Sequence, residues 1–552
     1  MSEGIEQAKI MLFIDYDFFR TIHYLCFLIN ETMTMIEYID KVTEWLLQMG
    51  LSESISLLLL RVGVILVMLL VALLVDLICR KTVIPVVRKI TSRTDYKWDD
   101  YLLSDKILSD ACALAGPVVV YVLLLIGLTG CGEQTLLDPE NPVTLTLWHV
   151  YGEQADSPMN QLVAEFNATV GLEKGIVVSV TNVTNTSKIG GQLKSALEGD
   201  PGAPEMPDLF SSHTSHAGLL GAENLVNWNE WFSEKELNEY VPEFVDSGMT
   251  DAGLSIFPVS KSSYALFLNG SQFDRFSADT GVTYADLATW EGFFDAAEKY
   301  HEWSGGKTFC AMDYLIRHVE LDIQSGKASP EFEEDGWFDF SDPAVYDSWM
   351  MFAEPLAQGH IAVSELYSNT HVTTGEMLCG IGSTASIIYF NETVTYPDNT
   401  SEPMNLRVLP LPMSGSEVEY IPQSGVGMAA LKTTEQKAEA AAEFVRWFTE
   451  AERNLDFVVQ TGYMPVCIDA YDAIESYEYP NDAYASLFDA IRTMNEKYTA
   501  VSRPDFDGYY AKTNALYDGL RQTQGTLADR ADAGEDVKVL AEETWEFFKN
   551  IQ

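Results

Sequence analysis

Hydrophobic positions fall into two regimes along the chain. Two long apolar runs come first: Leu57–Cys79, broken only by Arg61 and Asp76, and Ala111–Gly130. The first is long enough to predict a tilted helical membrane span. From Val143 the pattern changes. Val143-Thr144-Leu145-Thr146-Leu147-Trp148 alternates with period two, as a half-buried strand should. Ser157-Pro158 then reads as an N-cap and first-turn proline. Met159, Leu162, Val163 and Phe166 follow at i, i+3, i+4 and i+7, predicting a helix. A strand over 175–183, a helix around 187–197 and a short strand over 207–210 continue the alternation. This order predicts a mostly parallel sheet with helices on its faces. Ligands of such sheets bind beyond the carboxyl ends of the strands. On that ground Trp148 and His149, after one strand, and Ser212 and His213, after another, are candidate ligand contacts.

Charge divides the chain at the same place. Residues 1–131 hold 11 Lys+Arg and 15 Asp+Glu, leaving 23 basic and 67 acidic residues of the chain's 34 and 82 for the remainder. So acidic a segment is a poor partner for nucleic acid, whose binding rests on neutralising phosphates. Nine of the 11 tryptophans also lie there, which argues against disorder. Only Cys310, Cys379 and Cys467 follow Cys131, so disulfides do not build this part.

The basic cluster Arg80, Lys81, Arg88, Lys89 and Arg93 predicts a cytoplasmic flank after the first run. The second run would then exit, placing everything after Cys131 outside the cytoplasm. Leu128-Thr129-Gly130-Cys131 at the end of an uncharged run resembles the lipobox of bacterial lipoproteins. The resemblance implies cleavage before Cys131 and lipidation of its thiol. Its position is unusual, because secretion signals occupy roughly the first 15–30 residues of a chain. The stretches 91–102 and 115–124 resemble the N-terminal membrane part of small-conductance mechanosensitive channel proteins. No Gly/Ala-rich pore helix follows, so residues 1–123 read as a channel-like fragment fused ahead of a lipoprotein signal and linker (124–141).

The order of segments after Cys131 resembles the family 1 extracellular solute-binding proteins of ABC importers, a group that captures sugars, oligosaccharides and glycerol-phosphate compounds. The matching pieces are Leu145–Phe166, Pro207-Asp208-Leu209-Phe210, Ile256–Asn269, Thr289–Ala297, Gly375–Ser386, Gly425–Ala430, Ala438–Phe448 and Thr461-Gly462-Tyr463-Met464-Pro465. The resemblance implies a two-lobe periplasmic-binding-protein type II α/β fold with a hinge, preceded by the helical membrane segment. It places 142–259 and about 426–460 in the first lobe, 264–423 and about 461–552 in the second. It implies capture of a sugar or oligosaccharide for a membrane permease, with no cofactor. Tyr264, Ser383, Ser386, Gly425 and Tyr463 fall where family members contact ligand.

A sugar site needs aromatic platforms and short polar groups, and this set supplies both. A glycerol-phosphate ligand would add a cation; the nearest candidate is Arg503, and a neutral saccharide is the expected ligand. A secreted carbohydrate-active enzyme is the rival reading, but no motif nominates a carboxylate pair at glycosidase spacing. No Gly-x-Ser-x-Gly elbow, His-Glu-x-x-His helix or P-loop is present. His213 and His216 at i, i+3 have no evident third metal ligand.

Overall fold

Two compact units divide the chain, Met1–Gln134 and Thr135–Gln552. The computed structural model describes residues 135–551 except 153–156, 187, 327–336, 365–366 and 504–507, and Lys81 besides. The expected membrane helices, the channel-like fragment and Cys131 lie outside the described residues. Among the described residues no helix is long and apolar enough to cross a membrane.

In chain order the strands of the second unit's two main sheets and of one parallel pair are β1 (Val143–His149), β2 (Ile176–Val183), β3 (Leu209–Ser212), β4 (Phe257–Pro258), β5 (Tyr264–Leu268) and β6 (Cys310–Met312). They continue as β7 (Ile361–Val363), β8 (Cys379–Ser383), β9 (Arg407–Leu409), β10 (Glu419–Gln423), β11 (Gly427–Ala430) and β12 (Tyr498–Ser502). They form two five-stranded sheets, ordered β2-β1-β3-β11-β4 and β9-β5-β8-β6-β7, and a parallel pair β10–β12. This is the two-lobe α/β architecture, one sheet per lobe, and the sheets take strands from interleaved parts of the chain.

The pairing departs from the expected mostly parallel sheet. β1 runs parallel to β2 and β3, and β8 to β6. However, β11 is antiparallel to both β3 and β4, and β5 to both β8 and β9. A parallel neighbour requires a crossover helix over the sheet face, whereas an antiparallel one does not. β5 and β11 each enter straight from the other lobe, so no such helix precedes them.

The helix α1 (Pro158–Ala168) buries Met159, Leu162, Val163 and Phe166, the four positions the spacing picks out. Ser157 sits at its N-cap with extended backbone, yet its hydroxyl donates to the Tyr151 carbonyl rather than capping. Phe166 packs edge-on to Phe444 and Trp447 of α2 (Glu435–Phe448), fastening a late helix to the first sheet.

A buried ion pair joins the second sheet's flank to β12. Arg317 Nη1 donates to Glu320 Oε2 at 2.7 Å within the helix Leu315–Gly326. Arg317 Nη2 donates to the carbonyls of Val501 and Ser502, each at 2.9 Å. The Tyr509 hydroxyl donates to Glu320 Oε1 at 2.9 Å. Every oxygen of Glu320 thus has a donor, the condition under which a buried pair is tolerated. Glu320→Leu leaves the Arg317 charge uncompensated and should cost about 3–5 kcal/mol, read as a lower denaturation midpoint. Loss below about 1 kcal/mol would show that the pair behaves as a surface one.

Candidate functional site

All connections between the sheets leave from one edge of each. In the first sheet this edge holds the carboxyl ends of β1, β3 and β4 and the start of β11. In the second it holds the carboxyl ends of β6 and β8 and the start of β5. Three segments cross here: 259–263, 424–426 and 461–466. They are bonded to one another through the backbone. Lys261 and Met464 exchange N–H···O bonds of 3.2 and 2.5 Å, and Ser262 and Ser424 exchange bonds of 3.0 and 2.8 Å. The fully buried Asn454 ties the first and third, donating to the Val259 carbonyl at 2.8 Å and accepting from the Val466 N–H at 3.0 Å.

Two glycines allow this approach. Gly425 has φ 94°, and a Cβ there would stand 3.0 Å from the Ser260 carbonyl and 3.2 Å from Lys261 Cα. Gly462 has φ 73°, with the Cβ position 2.9 Å from Ala385 Cα and from the Thr384 carbonyl oxygen. The Gly425 contact is why the segment needs that residue, beyond any ligand role.

On the first lobe's side, Tyr151 is the aromatic at the crossing. Its hydroxyl bonds Ser260 Oγ at 2.6 Å, and its ring meets Tyr463 edge-on at 5.8 Å and Phe457 at 4.9 Å. Trp148 and His149 do not reach the edge. Both are fully buried. His149 Nε2 pairs with Asn160 Oδ1 at 2.9 Å, and its Nδ1 accepts from the Tyr151 N–H at 3.2 Å. β1 lies between β2 and β3, so its last residues remain in the core, and the aromatic that meets the crossing, Tyr151, stands two places further on. Ser212 is likewise fully buried, its hydroxyl donating to the His213 carbonyl at 3.1 Å.

His213 is half-buried beside the Gly425 backbone, with the His216 ring 5.5 Å away. Burial, with His216, Lys261 and Arg503 alongside, pushes its imidazole down to about 3, so it is neutral near pH 7. His216 Nδ1 accepts from the His213 N–H at 3.2 Å. Among the described residues no group of three His, Cys, Asp or Glu gathers to hold a metal.

On the second lobe's side, Tyr264 pairs with Ser383 across β5 and β8. The Tyr264 ring stacks on Tyr314, centroids 5.0 Å apart and planes 16° apart, with His318 at 5.7 Å. Ser383 Oγ accepts from the Ala385 N–H at 3.3 Å, capping the short helix Thr384–Tyr389 in which Ser386 is half-buried. Asp313, between β6 and Tyr314, accepts from the Ser368 N–H at 2.6 Å and its hydroxyl at 3.0 Å. Burial lifts the Asp313 carboxyl to about 7 against those two bonds. Tyr314 is 36% exposed and Tyr367 67%. The crossing thus gathers Tyr264, Ser383, Gly425, Tyr463 and His213 of the expected set, and adds Tyr151, Lys261, Asp313 and Tyr314. Asp313-Tyr314 follow the apolar run Phe309–Met312, a strand-end signal too short to stand out.

A two-lobe α/β protein with its polar and aromatic groups collected at the hinge edge belongs to the binding-protein class, where lobes close on a solute. Residues 161–485, more than half of the chain, match the family description "bacterial extracellular solute-binding protein", and the chain belongs to that family. It is an extracytoplasmic binding protein, not an enzyme. No curated protein matches in sequence. Solved structures share the fold. The cyclic alpha-maltosyl-1,6-maltose binding protein of Arthrobacter globiformis is 14% identical, with TM-score 0.53 over 74% of this chain and 99% of that one. UgpB from Mycobacterium tuberculosis, in complex with glycerophosphocholine, is 15% identical, with TM-score 0.53 over 74% and 98%. A probable secreted solute-binding lipoprotein from Streptomyces coelicolor is 16% identical, with TM-score 0.52 over 74% and 99%.

Two outcomes follow from this geometry. Gly462→Ala forces a side chain into the left-handed region against backbone and should cost about 1–3 kcal/mol, measured by chemical denaturation. Asp313 holds a proton in the folded state that the unfolded chain has lost between about pH 4 and 7. Its contribution to stability therefore falls as pH rises through that window. Asp313→Asn should flatten the dependence of melting temperature on pH there; a curve parallel to wild type would refute the burial effect.

Proposed function

We propose that the protein is the lipid-anchored receptor of an ABC importer, which captures a sugar or oligosaccharide between its lobes and delivers it to a membrane permease. The observation that carries this reading is the stacked pair Tyr264–Tyr314 at the hinge edge of the second sheet, half-open to solvent beside capped and buried hydroxyls. A sugar presents an apolar C–H face and a rim of hydroxyls. An aromatic platform flanked by Ser383, Ser386 and Asp313 meets both. Tyr463 and Tyr151 bring two further rings to the crossing. Fold neighbours that bind oligosaccharides support the same ligand class.

On this reading the lobes comprise 142–259 with about 426–460, and 264–423 with about 461–552, and they close by rotation about the three crossing segments. The solute shifts an existing open–closed equilibrium by contacting both lobes only when shut. Cys131 carries the lipid anchor, and more than one acyl chain is needed for stable anchoring. Residues 1–123 would be a channel-like fragment joined ahead of the lipoprotein signal, without a channel activity of their own.

Calorimetric titration of the full chain with malto-, xylo- and other oligosaccharides should show one site and no turnover. Tyr314→Ala, truncating a surface ring, should weaken that binding about tenfold, roughly 1.4 kcal/mol, with the melting temperature unmoved. Released product, or equal affinity in the variant, would contradict the reading.

A further inference from the structure

The hinge floor carries positive charge in a molecule that has almost none to spare. Beyond residue 131, acidic residues outnumber basic ones 67 to 23. Yet Lys261 and Arg503 converge on one crossing, beside the uncharged His213 imidazole and its neighbour His216. The largest charged influences on His213 are Lys261 and Arg503, with the His216 ring beside them. Lys261 is buried, and its Nζ donates to the Ser247 hydroxyl at 2.8 Å. Among the described residues neither Lys261 nor Arg503 forms an ion pair with a carboxylate.

Arg503 is placed by the fold. β10 and β12 run parallel with Gln423 opposite Ser502, so the next register position puts Arg503 beside Ser424, in the second crossing segment. Arg317 holds the two carbonyls just before it. Its guanidinium lies 4.1 Å from the centre of the Tyr510 ring, and its Nη1 is buried without a hydrogen-bond partner. The carboxylate that senses it, Glu320, is already taken by Arg317 and Tyr509. Nearby hydroxyls are orphaned too. Ser211 Oγ lies on β3 two residues before His213, and Ser263 Oγ two residues after Lys261; both residues are fully buried, and neither oxygen has a partner.

A buried cation without a counter-charge, as Lys261 is, costs several kcal/mol, and buried polar atoms such as Arg503 Nη1 are almost always satisfied. A cluster of both at a binding hinge calls for a ligand group that supplies negative charge and acceptor oxygens. We propose that the solute taken by this hinge carries an oxyanion, a carboxylate or a phosphate ester, on the hydroxylated end that lies against Arg503, Lys261 and His213. This rests on the interlobe site of the preceding reading and replaces its neutral saccharide with an acidic one. The surplus of surface carboxylates does not oppose it, because at physiological salt charges are screened beyond about 8 Å and the local cations decide.

Calorimetry on the full chain with matched pairs tests the idea: glucuronate- and galacturonate-capped disaccharides against their neutral counterparts, and glycerol 3-phosphate and glucose 6-phosphate against glycerol and glucose. At least one acid should bind about tenfold or more tighter than its neutral partner, the scale of one hydrogen bond to a charged group. That advantage should shrink in added salt, vanish in Arg503→Gln, and be partly restored in Arg503→Lys, with unliganded melting curves confirming that both variants fold. The uronate and phosphate arms tell the two oxyanions apart. A neutral sugar that binds as tightly as its acid, undisturbed by Arg503→Gln, overturns the anionic end and leaves sugar capture standing. If no member of either arm binds, both readings fall.

Discussion

Everything at the hinge follows from the need to satisfy backbone hydrogen bonds where three chain segments cross between two sheets. A buried N–H or C=O left unpaired costs about as much as a lost hydrogen bond, so segments meeting in so narrow a space must bond one another. Lys261 with Met464 and Ser262 with Ser424 do so. The approach leaves no room for side chains at Gly425 and Gly462. It also determines what the floor of the site can be made of. Ser260, Ser262, Ser263, Ser424 and Gly425 are short and polar, so a solute resting there meets hydroxyls and peptide groups instead of hydrocarbon. Aromatic contact must then come from the walls, where Tyr151, Tyr264 and Tyr314 stand.

A second layer of support decides where charge can sit. Arg317 grips the carbonyls of Val501 and Ser502 while paired to Glu320, itself held by Tyr509. Four polar contacts in a buried setting hold the end of β12, and with it the start of the segment that carries Arg503. In an exposed site the same contacts would contribute little. Burial of Arg317 and Glu320 makes their contacts directional as well as strong, because neither charged group can turn to water.

How much of this can be read from the residues differs from element to element. The alternation at Val143–Trp148 and the spacing Met159, Leu162, Val163, Phe166 report local periodicity, and both elements form where that periodicity puts them. Strand direction is not local. The antiparallel entry of β5 and β11 depends on the chain passing between lobes, which no window of a few residues contains. The resemblance at Ile256–Asn269 and Gly375–Ser386 led to Tyr264 and Ser383, which the structure pairs across β5 and β8. The strand-end rule did less well at β1. It points to the edge where the segments cross but to residues that do not reach it, because a register shift between Leu147 and Trp148 and cover on both sides keep Trp148 and His149 in the core. Asp313 and Tyr314 were hidden for another reason: β6 is three residues long and carries no alternation to mark its end. Arg503 was visible as a cation, but only the register of β10 with β12 shows what it stands beside.

The charge arrangement has a cost that explains where the rigidity is placed. An ammonium and a guanidinium held near one another, neither in an ion pair with a carboxylate among the described residues, raise the free energy of the empty protein, and burial alone moves Lys261 down to about 8. Such a cluster survives only if the surrounding backbone is fixed independently of it. Here it is, since the bonds among the crossing segments and the Arg317 clamp involve neither the Lys261 nor the Arg503 side chain. The scaffold therefore does not need the site to be filled, and on the proposed reading the unfavourable electrostatics is stored as affinity for a group of opposite sign. Neutralising the cluster within the protein, by a carboxylate from either lobe, would stabilise the empty form and weaken capture by the same interaction.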